Sequence, residues 1–139
     1  MYLLDTCAIS DFVRGHKNTV ARMSVIPAIK FYISYVNIFE VEFGLAKNPQ
    51  RALKTMPILI KLFSRSELIH FGLFESVRAA HIRHELESVG NTIGPYDIQI
   101  AATALVHNLT LVTSNVTEFS RIKGLKYENW RVAEEMVVV

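Results

Sequence analysis

Short apolar runs recur along the chain and predict the strands of a β-sheet. They are rich in β-branched and aromatic residues, and polar or turn-forming residues bound them. The runs lie at residues 2–4, 31–36, 68–71 and 110–113, and residues 126–130 are a candidate edge strand. The first run ends directly at an acid, Asp5.

Segments with apolar residues at helical spacing separate these runs. The clearest covers residues 73–89, where Ala79, Ile82, Leu86 and Val89 form one apolar stripe. Further helices are predicted over residues 6–14, 21–26, 38 to about 46 with Asn37 as N-cap, 50–63, and from 94–97 onward, with a turn or short helix at 115–119. Because strands alternate with helices, the sequence predicts βαβ units, a parallel sheet and the α/β class.

Composition favours one compact domain over residues 1–139. Half of the residues are apolar, which supplies a real core and excludes a disordered chain. No apolar run approaches the ~18 residues of a membrane span, and Asp5 stands where a signal peptide would need basic and apolar residues. The single cysteine, Cys7, suits a reducing cytoplasm, where we expect the protein to be located.

Charge is distributed unevenly although the net charge is only +2. Residues 12–66 contain nine lysines and arginines but only two acids, Glu40 and Glu42. Such a basic half attracts a phosphate backbone. An ordinary solvated basic face explains the same pattern equally well, so charge alone does not decide the function.

Four acids fall where predicted strands end or where the helices beside them begin. Asp5 ends the first strand, Glu40 follows the second by one helical turn, Asp97 opens a helix, and Glu118 follows the fourth strand. Because sites in parallel sheets form beyond the carboxyl ends of the strands, these four carboxylates are expected to meet at one edge. Taken singly, each acid also has a structural interpretation as a cap, a first-turn carboxylate or a surface residue.

Clustered carboxylates predict a hard divalent cation. Like charges brought close raise one another's pKa unless a cation is present, and a set of oxygen ligands selects Mg²⁺, or alternatively Mn²⁺. No Cys/His set with zinc spacing competes with this interpretation. A carboxylate-bound Mg²⁺ can orient a water and neutralise charge on a phosphoryl oxygen, which points to phosphodiester hydrolysis.

In order and spacing, several segments together resemble the VapC-type PIN-domain ribonucleases. They are Leu3-Leu4-Asp5-Thr6, Ile33-Ser34 through Glu40 and Gly44, Gly94-Pro95-Tyr96-Asp97 through Ala102, Leu111 through Glu118-Phe119, and Trp130. The resemblance runs from residue 2 to about 130. It implies a single PIN domain, an α/β/α sandwich with a short central parallel sheet of four to five strands.

The resemblance also implies an activity and partners. The activity is Mg²⁺-dependent endonucleolytic hydrolysis of RNA by the toxin of a type II toxin–antitoxin pair. The partners are a cognate VapB-type antitoxin that inhibits it, a second toxin copy in a homodimer, and larger toxin–antitoxin hetero-oligomers. Promoter DNA would be contacted only through the antitoxin.

Carried over by position, the resemblance assigns roles to four acids. Asp5, Glu40 and Asp97 would be metal ligands, and Glu118 would complete the catalytic set. Thr6 and Thr113 would be polar neighbours of this site.

Two positions depart from the family pattern. Cys7 stands where asparagine is common, and Asn115 stands where many members have aspartate. Cysteine is a poor donor to a neighbouring carboxylate, and the missing acid favours one metal ion over two. These departures keep an alternative open, a catalytically silent PIN module that binds RNA or a protein partner. A phosphoacceptor domain using Asp5 is disfavoured, because Asp5 has no acidic neighbour in sequence.

Gly44 lies one turn beyond Glu40 in the predicted helix. The absent side chain could leave room beside the carboxylate for RNA or an antitoxin segment. We favour the plainer interpretation that it permits close helix packing or ends the helix.

Overall fold

The computed structural model describes residues 1–132, and their five strands form one parallel sheet. The strand order is β3-β2-β1-β4-β5, so the first strand of the chain lies in the middle. The strands are β1 (Tyr2–Leu4), β2 (Phe31–Ser34), β3 (Glu67–Ile69), β4 (Thr110–Val112) and β5 (Tyr127–Glu128). The expected parallel sheet is confirmed.

Helices cover both faces of this sheet. The α-helices of the described region are α1 (Thr6–Val13), α2 (Lys17–Ser24), α3 (Tyr35–Ala46), α4 (Pro49–Arg65), α5 (Leu73–Ser88), α6 (Pro95–Val106) and α7 (Val116–Phe119). Two apolar cores result, because neighbouring residues of a strand point to opposite faces. Leu3 packs with α5, α6 and α7, whereas Leu4 packs with α1, α2 and α4. The predicted α/β/α sandwich is therefore confirmed.

The junction between β2 and α3 differs from the sequence prediction. The strand ends at Ser34 rather than at residue 36, and Asn37 is not the N-cap. Ser34 caps the helix instead, with its Oγ accepting a hydrogen bond from Asn37 N at 3.1 Å. This cap overrides the strand preference of the aromatic and β-branched pair that follows, and α3 begins at Tyr35.

Other helices also begin or end at residues different from those predicted. The helix predicted over residues 21–26 is α2, which begins at Lys17 because the side chain of His16 caps it. The helix predicted over 50–63 extends over Pro49–Arg65, with Asn48 as N-cap and proline in the first turn. In α5, Ala79, Ile82 and Leu86 are buried as predicted, but Val89 lies past the helix end and is exposed.

An ion pair fastens the last described residues to α1. Arg131 donates from Nε and Nη2 to both carboxylate oxygens of buried Asp11, at 2.6 and 3.0 Å. Trp130 packs edge-on against Tyr2 and Phe31 beside it. The apolar segment at residues 136–139, expected to dock on the body or on a partner, lies outside the described residues. Among residues 1–132, no helix is long and apolar enough to cross a membrane.

Candidate active site

Asp5 is fixed at the carboxyl end of β1 by donors from two strands' ends. Its side chain is 5% exposed. Oδ1 accepts from Thr6 N at 2.8 Å, as the N-cap of α1, and Oδ2 accepts from Thr113 Oγ1 at 2.8 Å. Burial raises the pKa of Asp5, although these hydrogen bonds oppose the rise. The carboxylate is thus held in one orientation before any ligand arrives.

Glu40 is connected to this carboxylate through Thr6. Thr6 Oγ1 donates to Glu40 Oε1 at 3.0 Å, and the amide of buried Asn37 lies 3.2 Å from the same hydroxyl. Burial raises the pKa of Glu40, and the charge of Asp5 raises it further. The Thr6 hydroxyl therefore links the first turn of α1 to two residues of α3.

Asp97 and Glu118 approach the same edge from α6 and α7. Burial raises the pKa of Asp97 to about 7, together with the charge of Asp5, a hydrogen bond to Glu118 and the charges of Glu118 and Glu40. Asn115 Nδ2 donates to Glu118 Oε2 at 2.9 Å. The asparagine that replaces the family's aspartate therefore orients the neighbouring acid. All four predicted acids share one electrostatic environment.

The chemistry of the four side chains fits a divalent cation, but no preformed set of ligands exists. All four offer carboxylate oxygens as ligands. The charges of Asp5, Glu40 and Glu118 each raise the pKa of Asp97, and Glu40 also accepts a hydrogen bond from Thr6. Among residues 1–132, however, no three His, Cys, Asp or Glu side chains are placed to hold a metal ion as they stand. The assignment of Asp5, Glu40 and Asp97 as metal ligands stays a prediction.

Cys7 occupies a supporting position beside Asp5. Its Sγ lies 3.4 Å from Asp5 Oδ2 and accepts from Ser114 N at 3.2 Å. Burial and the charge of Asp5 raise the pKa of the thiol, so it is a weak nucleophile. Because the Thr113 hydroxyl makes the shorter bond to Asp5, the carboxylate is supported although Cys7 is a poor donor.

Sequence reasoning missed the polar residues behind the site. Ser34 and Asn37 are both fully buried, and Asn37 joins the end of β2 to Thr6. The signal was the Ser-x-x-Asn spacing directly after an apolar strand, which is the spacing of a helix cap.

Gly44 does not play the packing role favoured from sequence. A Cβ placed on this residue would meet no described atom within 4 Å apart from its sequence neighbours and the local backbone of α3, and α3 continues beyond it to Ala46. Close packing is therefore wrong as the explanation. Gly44 instead borders a cavity that Thr6 and Glu40 also line.

The fold and the site together define an α/β/α protein with four carboxylates at the carboxyl edge of a parallel sheet. The PIN domain profile matches residues 2–125. With this match, and a relative at 34% identity, the chain belongs to the PIN domain family and to its VapC group. Nucleases of this family generally depend on divalent metal ions.

Curated relatives match nearly the full length of the chain. Ribonuclease VapC2 of Rickettsia felis is 34% identical over 134 residues, which cover 94% of this chain and 98% of the relative. The tRNA(fMet)-specific endonuclease VapC of Salmonella typhimurium is 29% identical over 131 residues, which cover 93% and 97% respectively. The resemblance to VapC-type ribonucleases is thereby confirmed.

Solved structures give the same result. VapBC2 from Rickettsia felis, bound to a DNA fragment from its promoter, matches with a TM-score of 0.82 and 31% identity over 93% of this chain and 98% of the matched chain. DNA-bound VapBC from Salmonella typhimurium matches with a TM-score of 0.82 and 28% identity, covering 93% and 97%.

Proposed function

We propose that this chain is a Mg²⁺-dependent endoribonuclease that acts as the toxin of a type II toxin–antitoxin pair. One observation carries the proposal. Carboxylates from the end of β1 and from α3, α6 and α7 lie close enough at one sheet edge that their charges, added to the larger effect of burial, raise the pKa of Asp97 to about 7. Such mutual repulsion is the expected state of a cation site before the cation binds.

In this proposal Asp5, Glu40 and Asp97 hold the Mg²⁺, which Mn²⁺ can replace, and Glu118 completes the catalytic set. When bound, the cation supplies charge neutralisation at the phosphoryl oxygens and eases deprotonation of an attacking water. Asp5 supplies a fixed ligand, because Thr6 and Thr113 orient it. Glu40 has a raised pKa and only partial burial, which suit a group that accepts a proton from water.

The same proposal assigns a VapB-type antitoxin, a homodimer and larger hetero-oligomers as partners, with promoter DNA reached only through the antitoxin. The names of the matched complexes, VapBC bound to DNA, support this assignment. The surface beside the site supports it too, because three aromatic side chains there are exposed. Phe39 and Phe43 are more than half exposed, and Tyr96 stacks near Phe39 with ring centroids 5.6 Å apart. Exposed apolar groups of this kind mark contact surfaces. The proposed location is the cytoplasm.

The test is cleavage of purified total RNA and of initiator tRNA, the substrate named for the Salmonella relative. We expect cleavage with Mg²⁺, none with EDTA, and products with 5′-phosphate and 3′-hydroxyl ends. Asp5→Ala and Asp97→Ala should each lower the rate by about 100-fold or more, since even groups that only support metal ligands contribute about 10–100-fold.

The control is Glu87→Ala, which removes an exposed carboxylate that forms an ion pair with Arg83 on α5. Its activity should equal that of the unmodified protein. Cleavage that persists in EDTA would contradict the metal mechanism. Binding of RNA with no product under any metal would instead support the catalytically silent module.

A further inference from the structure

We propose that Arg14 and Arg51 bind a phosphate of the RNA strand beside the acidic edge. The inference rests on the proposed function, because it names the part of the site that receives the substrate backbone. It concerns a cavity whose walls come from α1, α3 and α4.

The cavity is continuous with the acidic edge. It has a volume of about 190 Å³, and Thr6 and Glu40 line it together with Arg14, Arg51 and Gly44. Thr6 and Glu40 are also hydrogen-bonded to each other in the candidate active site. A group that occupies the cavity therefore lies next to the atoms that would act on the scissile bond.

Gly44 keeps one side of the cavity open. Because no other helix or strand of the described chain has an atom within 4 Å of a Cβ placed there, the glycine is not needed for packing between elements. Its missing side chain leaves space directly beside the turn that carries Glu40.

The guanidinium groups of the two arginines are not part of the ion pairs that stabilise the described fold. Within residues 1–132, neither Arg14 nor Arg51 forms an ion pair, even with Glu40 in the same cavity. Arg51 also lies in the first turn of α4, which has no acid, and there the helix dipole disfavours a cation. Two guanidinium groups that line one cavity without an acidic partner in the described chain favour the binding of an anion from solution there.

Phosphate is the anion that fits best. A guanidinium presents a planar fork of donors that matches phosphate oxygens. The cavity is smaller than the roughly 300–1,000 Å³ of pockets that enclose whole small molecules. It therefore suits a phosphodiester group rather than a base and its sugar.

Arginines at this cavity would also reduce the electrostatic repulsion between the RNA backbone and the four carboxylates. A polyanionic strand that approaches four carboxylates is repelled by them, at least until a cation is bound. Arg14 and Arg51 provide positive charge on the α1–α4 side of Glu40, where a neighbouring phosphate can be held. They would be positioning residues, and they would set how the strand crosses the acidic edge.

The experiment compares Arg14→Gln, Arg51→Gln and the double variant with Arg83→Gln. The control also removes one arginine charge, but from an exposed pair on α5. The binding probe is a fluorescein-labelled single-stranded RNA of mixed sequence, followed by anisotropy in EDTA over a range of salt concentrations. Cleavage kinetics are measured with Mg²⁺ on an RNA that the unmodified protein cuts.

We expect the double variant to raise Kd and KM by about 10-fold or more while kcat changes little. The slope of log affinity against log salt should fall by roughly 1, as for loss of phosphate contacts. Arg51→Lys should recover part of the affinity, because it restores the charge without the fork. Thermal unfolding of each variant checks that the fold is intact.

Binding and KM equal to those of Arg83→Gln would overturn the inference. So would unchanged RNA binding with weakened binding of the antitoxin, which would assign the cavity to a protein partner. If the unmodified protein cuts no RNA but the double variant still loses RNA affinity, the nuclease proposal fails while the phosphate site stands.

Discussion

The two sides of the acidic edge are built differently. On the strand side, Asp5 is buried and accepts hydrogen bonds from Thr6 N and Thr113 Oγ1. On the helix side, Asp97 receives no hydrogen bond from any amide or hydroxyl of the described chain, and its carboxyl faces Glu118 instead. One carboxylate is oriented by the fold, while the other is oriented mainly by its neighbours' charges.

Because of this difference, we expect Asp5 to contribute to both stability and function, and Asp97 to contribute to function alone. The contacts of Asp5 stabilise the fold whether or not a ligand is present. Asp97 costs stability when it is ionised, because it is partly buried and lies near the charges of Asp5 and Glu118, and either a proton or a bound cation would relieve that cost. The helix side is therefore the part of the edge that function, rather than folding, explains.

The largest expected effect is a divergence between Asp5→Ala and Asp97→Ala. Both should abolish cleavage, but in EDTA above pH 7 their stabilities should differ. Asp5→Ala removes a helix cap and leaves the Thr113 hydroxyl without its acceptor, so the free energy of unfolding should fall by about 2 kcal/mol. Asp97→Ala should leave it unchanged or higher. Urea unfolding of both variants measures the difference.

A matched metal titration sharpens that result. Mg²⁺ should raise the stability of the unmodified protein and have a much smaller effect on either variant. Equal losses of stability in the two variants would show that the two sides do not differ in the way described.

A smaller effect is expected for Thr113→Val, which keeps the shape of the side chain but removes the donor to Asp5. We expect kcat/KM for RNA to fall by about 10-fold, as for other groups that orient metal ligands. The control is Thr103→Val, also fully buried, whose hydroxyl donates to Gln99 O within α6. Equal activity of the two valine variants would argue against a positioning role for Thr113.

The smallest effect concerns Glu75, which is buried on α5 and hydrogen-bonded to Gly72 N and His107 Nε2. Burial alone would raise its pKa, but hydrogen bonds from Gly72 N at 3.0 Å and His107 Nε2 at 2.8 Å contribute to a net lowering. Its stabilising effect should therefore be present above pH 4.5, the ordinary glutamate value, and be lost as pH falls through the lowered pKa.

Glu75→Gln should accordingly lower the free energy of unfolding by about 1 kcal/mol near neutral pH. The difference should shrink below pH 4.5, and RNA cleavage should not change. Chemical unfolding across pH measures the first effect. Loss of cleavage would mean that hydrogen-bonded carboxylates matter to activity even far from the edge.

The sequence predicted the sheet well because its strands are short, strongly apolar and bounded by polar residues. It predicted helix starts less well, because several amino acids can cap and only the folded chain selects among them. Ser34 rather than Asn37 caps α3, and His16, the residue directly after Gly15, caps α2. The few residues that decide such a boundary carry little pattern of their own.

The common location of the four acids was predictable because Asp5, Glu40 and Glu118 follow strand ends and Asp97 lies in the first turn of a helix, and both features can be located from sequence. Their supports were less predictable, because they depend on side chains that are distant in sequence. Thr113 was expected only as a polar neighbour, and nothing in its local pattern shows that it bonds to Asp5, 108 residues away. The pair of Asp11 with Arg131 was missed for the same reason.

The central position of β1 has a consequence for biosynthesis. Tyr2 pairs with Phe31 on one side and with Thr110 on the other, so β1 acquires its second neighbour only after residue 110 has been synthesised. Pairings this distant in sequence form slowly. Glu118 is made later still, and a nascent polypeptide therefore carries no complete acidic edge until residue 118 has been synthesised.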